Sequence, residues 1–168
     1  KNIKINCIFK STPSSLHSLY ELTSYLRDDS FCLMTIDSIF VESEFAGFLK
    51  LAKEESNFDG LIAVTGYVDD EKPLWVKVDS CNKILGFDSL QKDSECVTGG
   101  IYYFKKGIIE YTEKALSKNI FKLRNFLQYL IDEGINLNAV PFSKIIDVDH
   151  KRDLIEAEKF LKQSKTTS

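Results

Sequence analysis

Apolar and polar side chains alternate over residues 3–9, the period-two pattern of a half-buried strand. Thr12-Pro13-Ser14-Ser15 follows, with hydroxyls able to cap a helix and a proline suited to its first turn. Leu16, Leu19, Tyr20, Thr23 and Leu26 then recur at helical spacing over residues 14–27. Residues 31–36 form an unbroken apolar run that ends at Asp37, which suits a central strand covered on both faces. Ser43 opens a helix whose inner face is Phe45, Phe48, Leu49 and Ala52, and residues 61–68 read as another buried strand. Residues 74–78 and 84–87 flank the turn Asp79-Ser80-Cys81-Asn82 as a hairpin.

A strand over 97–104 is interrupted by Gly99-Gly100. Two helices are predicted near 108–116 and 120–132, the second stopped by Gly134. Residues 137–140 and 144–148 read as short strands. The closing helix, 150–162, is expected to bury Leu154, Ala157, Phe160 and Leu161, with residues 164–168 as a fraying polar tail. No repeat or linker breaks this alternation, so residues 1–163 read as one α/β unit.

Composition narrows the chemistry. The 168 residues are 43% hydrophobic and 28% charged, the balance of a globular domain. A net charge of −3 offers no field for a nucleic-acid backbone, so an anionic ligand needs local cations, backbone N–H groups or a metal. Cys7, Cys32, Cys81 and Cys96 form no Cys-x-x-Cys pair, and with only His17 and His150 beside them a zinc site is not expected. Cys7 and Cys32 are expected to be buried, reduced thiols. No apolar run approaches the roughly 18–20 residues that span a membrane, and no leader pattern opens the chain, so a cytoplasmic location is expected.

Ligands of open α/β sheets bind beyond the carboxyl ends of strands. Asp37 falls at such a place, as do Asp147 and Asp149 in Ile146-Asp147-Val148-Asp149-His150. Carboxylates there suit Mg²⁺, which takes a few carboxylates together with substrate phosphate oxygens. Each acid also has a plainer reading: Asp149 as a helix N-cap, Asp147 as an exposed strand end, Asp37 as a loop acid. Trp75, Tyr102 and Tyr103 read as core rather than as a stacking platform, and His17 as an ordinary helix side chain. Lys105-Lys106 and Lys151-Arg152 read as solvated pairs.

Residues 33–40, 63–87, 97–104 and 145–158, in that order, resemble the nucleoside-diphosphate-sugar pyrophosphorylases and their cytidylyltransferase relatives. The resemblance rests on a buried strand ending in Asp37, on Thr98-Gly99-Gly100-Ile101-Tyr102, and on Asp147-Val148-Asp149 followed by Asp153-Leu154-Ile155-Glu156-Ala157. It implies a Rossmann-like, three-layer α/β/α nucleotidyltransferase fold with a mixed, mostly parallel sheet. It also implies Mg²⁺-dependent transfer of a nucleotidyl group from an NTP to a phosphorylated acceptor, with a sugar phosphate as the expected class. Asp37 and Asp149 match the metal-binding, catalytic acids, Asp147 matches the second acid in some members, and Gly99 and Gly100 match the backbone beside the acceptor. Glycine suits such an approach, and a β-bulge is an equally good reading of the pair.

The chain departs from the family pattern at several places. Ile36 replaces the usual glycine before Asp37, and the Glu-Lys-Pro element is missing, which leaves Lys92 as a candidate phosphate or acceptor contact or a solvated lysine. The Gly-rich triphosphate loop and its Arg and Lys are not found, so the fold is expected to be N-terminally incomplete and these residues alone inactive. Two other classes remain open: a degenerate binding or regulatory module, and a GT-A glycosyltransferase, which also uses Asp-x-Asp but after a mid-domain strand.

Overall fold

A computed structural model describes residues 5–54, 57–68, 72–90 and 94–166. Its elements follow the predicted alternation: α1 (Ser15–Thr23), β1 (Ser30–Met34), β2 (Ser38–Ile39), α2 (Glu42–Glu54), β3 (Gly60–Thr65), β4 (Trp75–Val78) and β5 (Ile84–Asp88). Next come β6 (Cys96–Lys105), α3 (Ile109–Ser117), α4 (Leu123–Asp132), β7 (Leu137–Phe142), β8 (Ile146–Asp147) and α5 (Lys151–Thr166).

Local chemistry sets several boundaries. The Ser14 side chain accepts from the His17 N–H and caps α1. Gly134, at φ 80°, closes the turn after α4, with its N–H on the Ile131 carbonyl. Asp79 accepts from the N–H groups of Cys81 and Lys83, and Asn82 takes φ 61°, which makes the β4–β5 hairpin turn.

The main sheet runs β5-β4-β6-β3-β7, with β1 also paired to β6. It is mixed: β3 and β7 pair in parallel, while β6 is antiparallel to β1, β3 and β4. Strands β1, β3, β4 and β7 therefore share one direction, with β5 and β6 opposed to them. Strand β6 gives one edge to β3 and divides the other between two partners. Trp75 and Val76 of β4 pair with Val97 and Cys96, and β1 pairs with residues 101–105. Gly99 and Gly100 lie where one partner gives way to the other.

Alternation along the strands builds two cores and hence three layers. Ile62, Val64, Tyr102, Phe104, Leu137 and Ala139 face one way, against Leu16 and Leu19 of α1, Ala115 of α3 and Phe126, Leu127 and Leu130 of α4. Leu61, Ala63, Ile101 and Phe142 face the other way, against Phe48 and Ala52 of α2. The β4–β5 hairpin folds over the first face: Val76 and Ile84 join that core, and the Ala139 N–H reaches the Asn82 carbonyl. Trp75 and Tyr102 are buried, as expected.

Four expectations change. Of the strand expected over 3–9, residues 3 and 4 lie outside the described residues; residues 5–9 form no strand, and Ile5 and Phe9 are exposed, because alternation makes a strand only where a sheet edge accepts its backbone and this segment pairs with none among the described residues. The run at 31–36 is not covered on both faces: β1 pairs only with β6 among the described residues, and Met34 and Ile36 are exposed. Cys7 and Cys32 are exposed free thiols for the same two reasons. In α5 the inward stripe carries Asp153 and Ala157, leaving Leu154 and Leu161 exposed, and the helix runs on to Thr166, into the expected polar tail.

Candidate active site

Asp37, Asp147 and Asp149 converge. Each offers a carboxylate oxygen, and the three oxygens lie within 4.8 Å of one another. The convergence is built by a two-stranded ribbon outside the main sheet, where Ser38 pairs with Asp147 and Ile39 with Ile146. One step further on, the Val148 N–H donates to the Asp37 carbonyl at 3.1 Å. That bond sets Asp37 opposite the residue between the other two acids. Oδ1 of Asp37 is buried and has no hydrogen-bond partner among the described residues, a costly arrangement unless a cation or donor meets it.

The loop carrying Asp37 is fastened to the Gly99-Gly100 bulge. The Thr35 N–H donates to the Gly100 carbonyl at 3.0 Å, Ser38 Oγ donates to the Gly99 carbonyl at 3.1 Å, and the two hydroxyls lie 2.7 Å apart. The β3–β6 register shifts here, so the bulge reading of the glycines holds. Gly100 has φ 72°, and a Cβ on it would come within 2.7 Å of both the Thr35 and Ser38 hydroxyls. A Cβ on Gly99 would lie 2.0 Å from Cδ1 of Ile145, the residue leading into β8. Both glycines line the cleft, and both also let the acidic loops pack closely on β6.

Asp153 holds the other side. Its Oδ2 accepts from the N–H groups of Asp149 at 3.1 Å and His150 at 2.6 Å, which fixes the backbone of the third acid at the start of α5. Burial acts to raise the Asp153 pKa, but the His150 N–H and the Arg152 guanidinium outweigh it and hold the carboxyl below its usual range. Asp149 therefore leaves its own N–H to be capped by Asp153. Nearby, Lys144 bonds Glu156 at 2.6 Å, Tyr67 bonds the same carboxylate oxygen at 2.5 Å, and Lys144 sits 3.7 Å from the Tyr67 ring centroid. The Lys144 bond, then that from Tyr67, lowers the Glu156 pKa.

The cleft opens at the gap between β1 and β4 along β6, bounded by Thr35, Thr98, Tyr102, Arg124 and Asp147. Tyr102 is buried, and burial raises its hydroxyl pKa, so it stays a neutral donor. Arg124, in the first turn of α4, donates to the Lys72 carbonyl at 3.0 Å. Lys92 lies outside the described residues. The three acids singled out in the sequence thus come together and the two glycines line the cleft beside them, while Thr35, Ser38 and Arg124 were not singled out and Asp153 was named only as part of a motif, without its capping role. Only Asp153 carried a local signal, an acid three residues beyond the end of the Asp147–His150 stretch.

The sequence matches the nucleotidyl transferase family model over residues 1–164. No curated protein sequence matches it. Among solved structures, the inositol-1-phosphate CTP transferase from T. maritima is similar at TM-score 0.72 and 22% identity, over 87% of this chain and 61% of that one. A putative glucose-1-phosphate thymidylyltransferase from Bacillus anthracis, in complex with a sucrose, gives TM-score 0.72 at 13% identity, over 89% and 62%. A nucleoside-diphosphate-sugar pyrophosphorylase from Vibrio cholerae gives 0.62 at 15% identity, over 90% and 67%. At these identities the likeness shows the fold, and the chain spans about three-fifths of the length of the first two structures.

Proposed function

The chain belongs to the nucleotidyl transferase family, and on that footing we propose that it serves Mg²⁺-dependent transfer of a nucleotidyl group from an NTP to a phosphorylated acceptor of the sugar-phosphate class. The observation that carries this reading is the meeting of Asp37, Asp147 and Asp149 at the mouth of a cleft lined by the glycine bulge. The donor set fits the ion: hard carboxylate oxygens, few enough to leave positions for phosphate oxygens, with one buried oxygen lacking a partner. Asp37 and Asp149 would be the principal ligands and Asp147 the third. A bound divalent ion supplies charge neutralisation on the phosphates during transfer.

The rest falls to the chain. An acceptor phosphate oxygen forms the new bond to the α-phosphorus while the α–β bridging bond breaks and pyrophosphate leaves with the electron pair. The attacking oxygen is already an anion, so no side chain has to remove a proton. Catalysis is then positioning plus charge complementarity. The Thr35 and Ser38 hydroxyls and the Asp153 carboxylate fix the two acidic loops, and the bulge backbone leaves room beside them. Neighbouring structures named as CTP and glucose-1-phosphate nucleotidyltransferases support the same class.

The test is Mn²⁺ binding followed by electron paramagnetic resonance, with and without CTP. D37N and D149N should each weaken binding by about tenfold or more, the effect of losing a charged ligand at such a site. Affinity unchanged in both variants would end the metal assignment. A second reading, a binding module without turnover, draws on the fully exposed Ile36 in place of the family glycine. Mn²⁺ and nucleotide binding without pyrophosphate release, in the chain and in any longer form of it, would favour that module.

A further inference from the structure

We propose that Glu156 is a positioning residue for the metal-binding acids: through Lys144 it makes α5 a splint along the segment that carries Asp147 and Asp149. This rests on the reading of the three acids given above. The inward stripe of α5 is Asp153, Glu156, Ala157 and Phe160, the spacing of one helix face, while Leu154 and Ile155 are exposed. Among the described side chains of the helix only Asp153 and Ala157 are buried, so apolar packing does little to seat it. A helix that turns two carboxylates inward and leaves leucine and isoleucine in water is docked by what those carboxylates hold.

Asp153 holds the downstream end of the segment through the Asp149 and His150 N–H groups. Glu156 holds the upstream end. Its Oε1 takes the Lys144 ammonium at 2.6 Å and the Tyr67 hydroxyl at 2.5 Å, so one oxygen ties α5 both to the start of the segment and to the stretch that follows β3. Ile145 and Ile146, both buried, stand between Lys144 and Asp147 and leave little slack. A fully exposed ion pair would contribute little to such a task, but this one is sheltered. Lys144 keeps 22% of its side-chain surface, and its ammonium lies 3.7 Å from the Tyr67 ring centroid and 5.7 Å from that of Phe160. Three carboxylates within 4.8 Å repel one another, so a braced backbone is what keeps them gathered before an ion arrives.

The experiment follows amide hydrogen exchange by NMR in the full chain in metal-free buffer, with Mn²⁺ affinity and thermal unfolding recorded alongside. E156Q keeps the shape and removes the charge, K144M keeps the aliphatic stem and removes the ammonium, and K144R keeps the charge. E156Q and K144M should each speed exchange at Val148, Asp149 and His150 by about tenfold or more, with Ile62 and Leu130 unchanged. K144R should stay near the unaltered chain. Mn²⁺ affinity should fall by about threefold to tenfold in E156Q and K144M, as for a group that acts through the support of a ligand. If D37N binds Mn²⁺ as well as the unaltered chain does, the metal assignment falls, while faster exchange at the three amides still carries the bracing of Asp147 and Asp149. Unchanged exchange at all three amides in E156Q and K144M overturns the proposal, as does equal acceleration at Ile62 and Leu130.

Discussion

The sheet centre and the β2–β8 ribbon hold their residues in opposite ways. At the centre, Ile62, Phe104, Phe126 and Leu130 are fully buried, and each is fixed by many neighbours at once. In the ribbon, two residue pairs and a handful of polar bonds hold three carboxylates together. Close packing tolerates no charge, and three acids within 4.8 Å tolerate little packing. The core therefore supplies stability and the ribbon, by gathering like charges, spends some of it.

Phe104→Ala should show the largest effect. It removes a fully buried ring in contact with Phe31 and Tyr102, at a cost of about 3–5 kcal/mol in unfolding free energy by denaturant titration. Mn²⁺ affinity of the fraction that remains folded should be unchanged. A parallel loss of both would mean that core and ribbon act as one unit.

Gly99→Ala comes next and sharpens the comparison at the seam. The added Cβ meets Ile145 Cδ1, so Ile145 must turn away, at about 1–3 kcal/mol for overpacking. Ile145 leads into the ribbon, so Mn²⁺ affinity should fall as well. Adding I145V removes the clashing Cδ1 and should restore much of both. Failure of the double variant to recover would show that Gly99 matters for backbone freedom or ligand approach rather than for this contact.

The smallest effect concerns pH. The Asp153 carboxyl sits below its usual range in the folded chain, so on acidification the unfolded state takes up the proton first. The stability it contributes is complete above the unfolded value, near pH 4, and is lost as pH falls through the folded value. Asp153→Asn should lower the melting temperature by a few degrees at pH 7, with the difference shrinking below about pH 4. A difference that is constant with pH would remove the charged cap, and with it the device that fixes Asp149.

Much of this was legible in the sequence because it depends on local pattern. Strand alternation, the Ser14 cap, the Gly134 stop and the hairpin turn are properties of a few neighbouring residues. The acids were legible because strand ends are where ligands gather. What was not legible depends on partners distant in sequence. Ser38 and Gly99, or Arg124 and Lys72, meet only once the sheet is assembled. Residues 5–9 misled because alternation describes a surface and does not supply the edge it would pair with. The α5 pattern misled because Leu154 and Asp153 are adjacent, and the buried place went to the carboxylate with two N–H groups to satisfy.

The divided edge of β6 has a consequence for how such a domain can diverge. The loop bearing Asp37 hangs from β1, the hairpin wall of the cleft hangs from β4, and neither strand sets the register of the other. A lineage can therefore reshape the hairpin, and with it the space offered to a ligand, while the acidic loop keeps its attachment. Change in the hairpin and retention of the acidic loop are in this sense mechanically separable, and the separation lies in a two-glycine stretch of one strand.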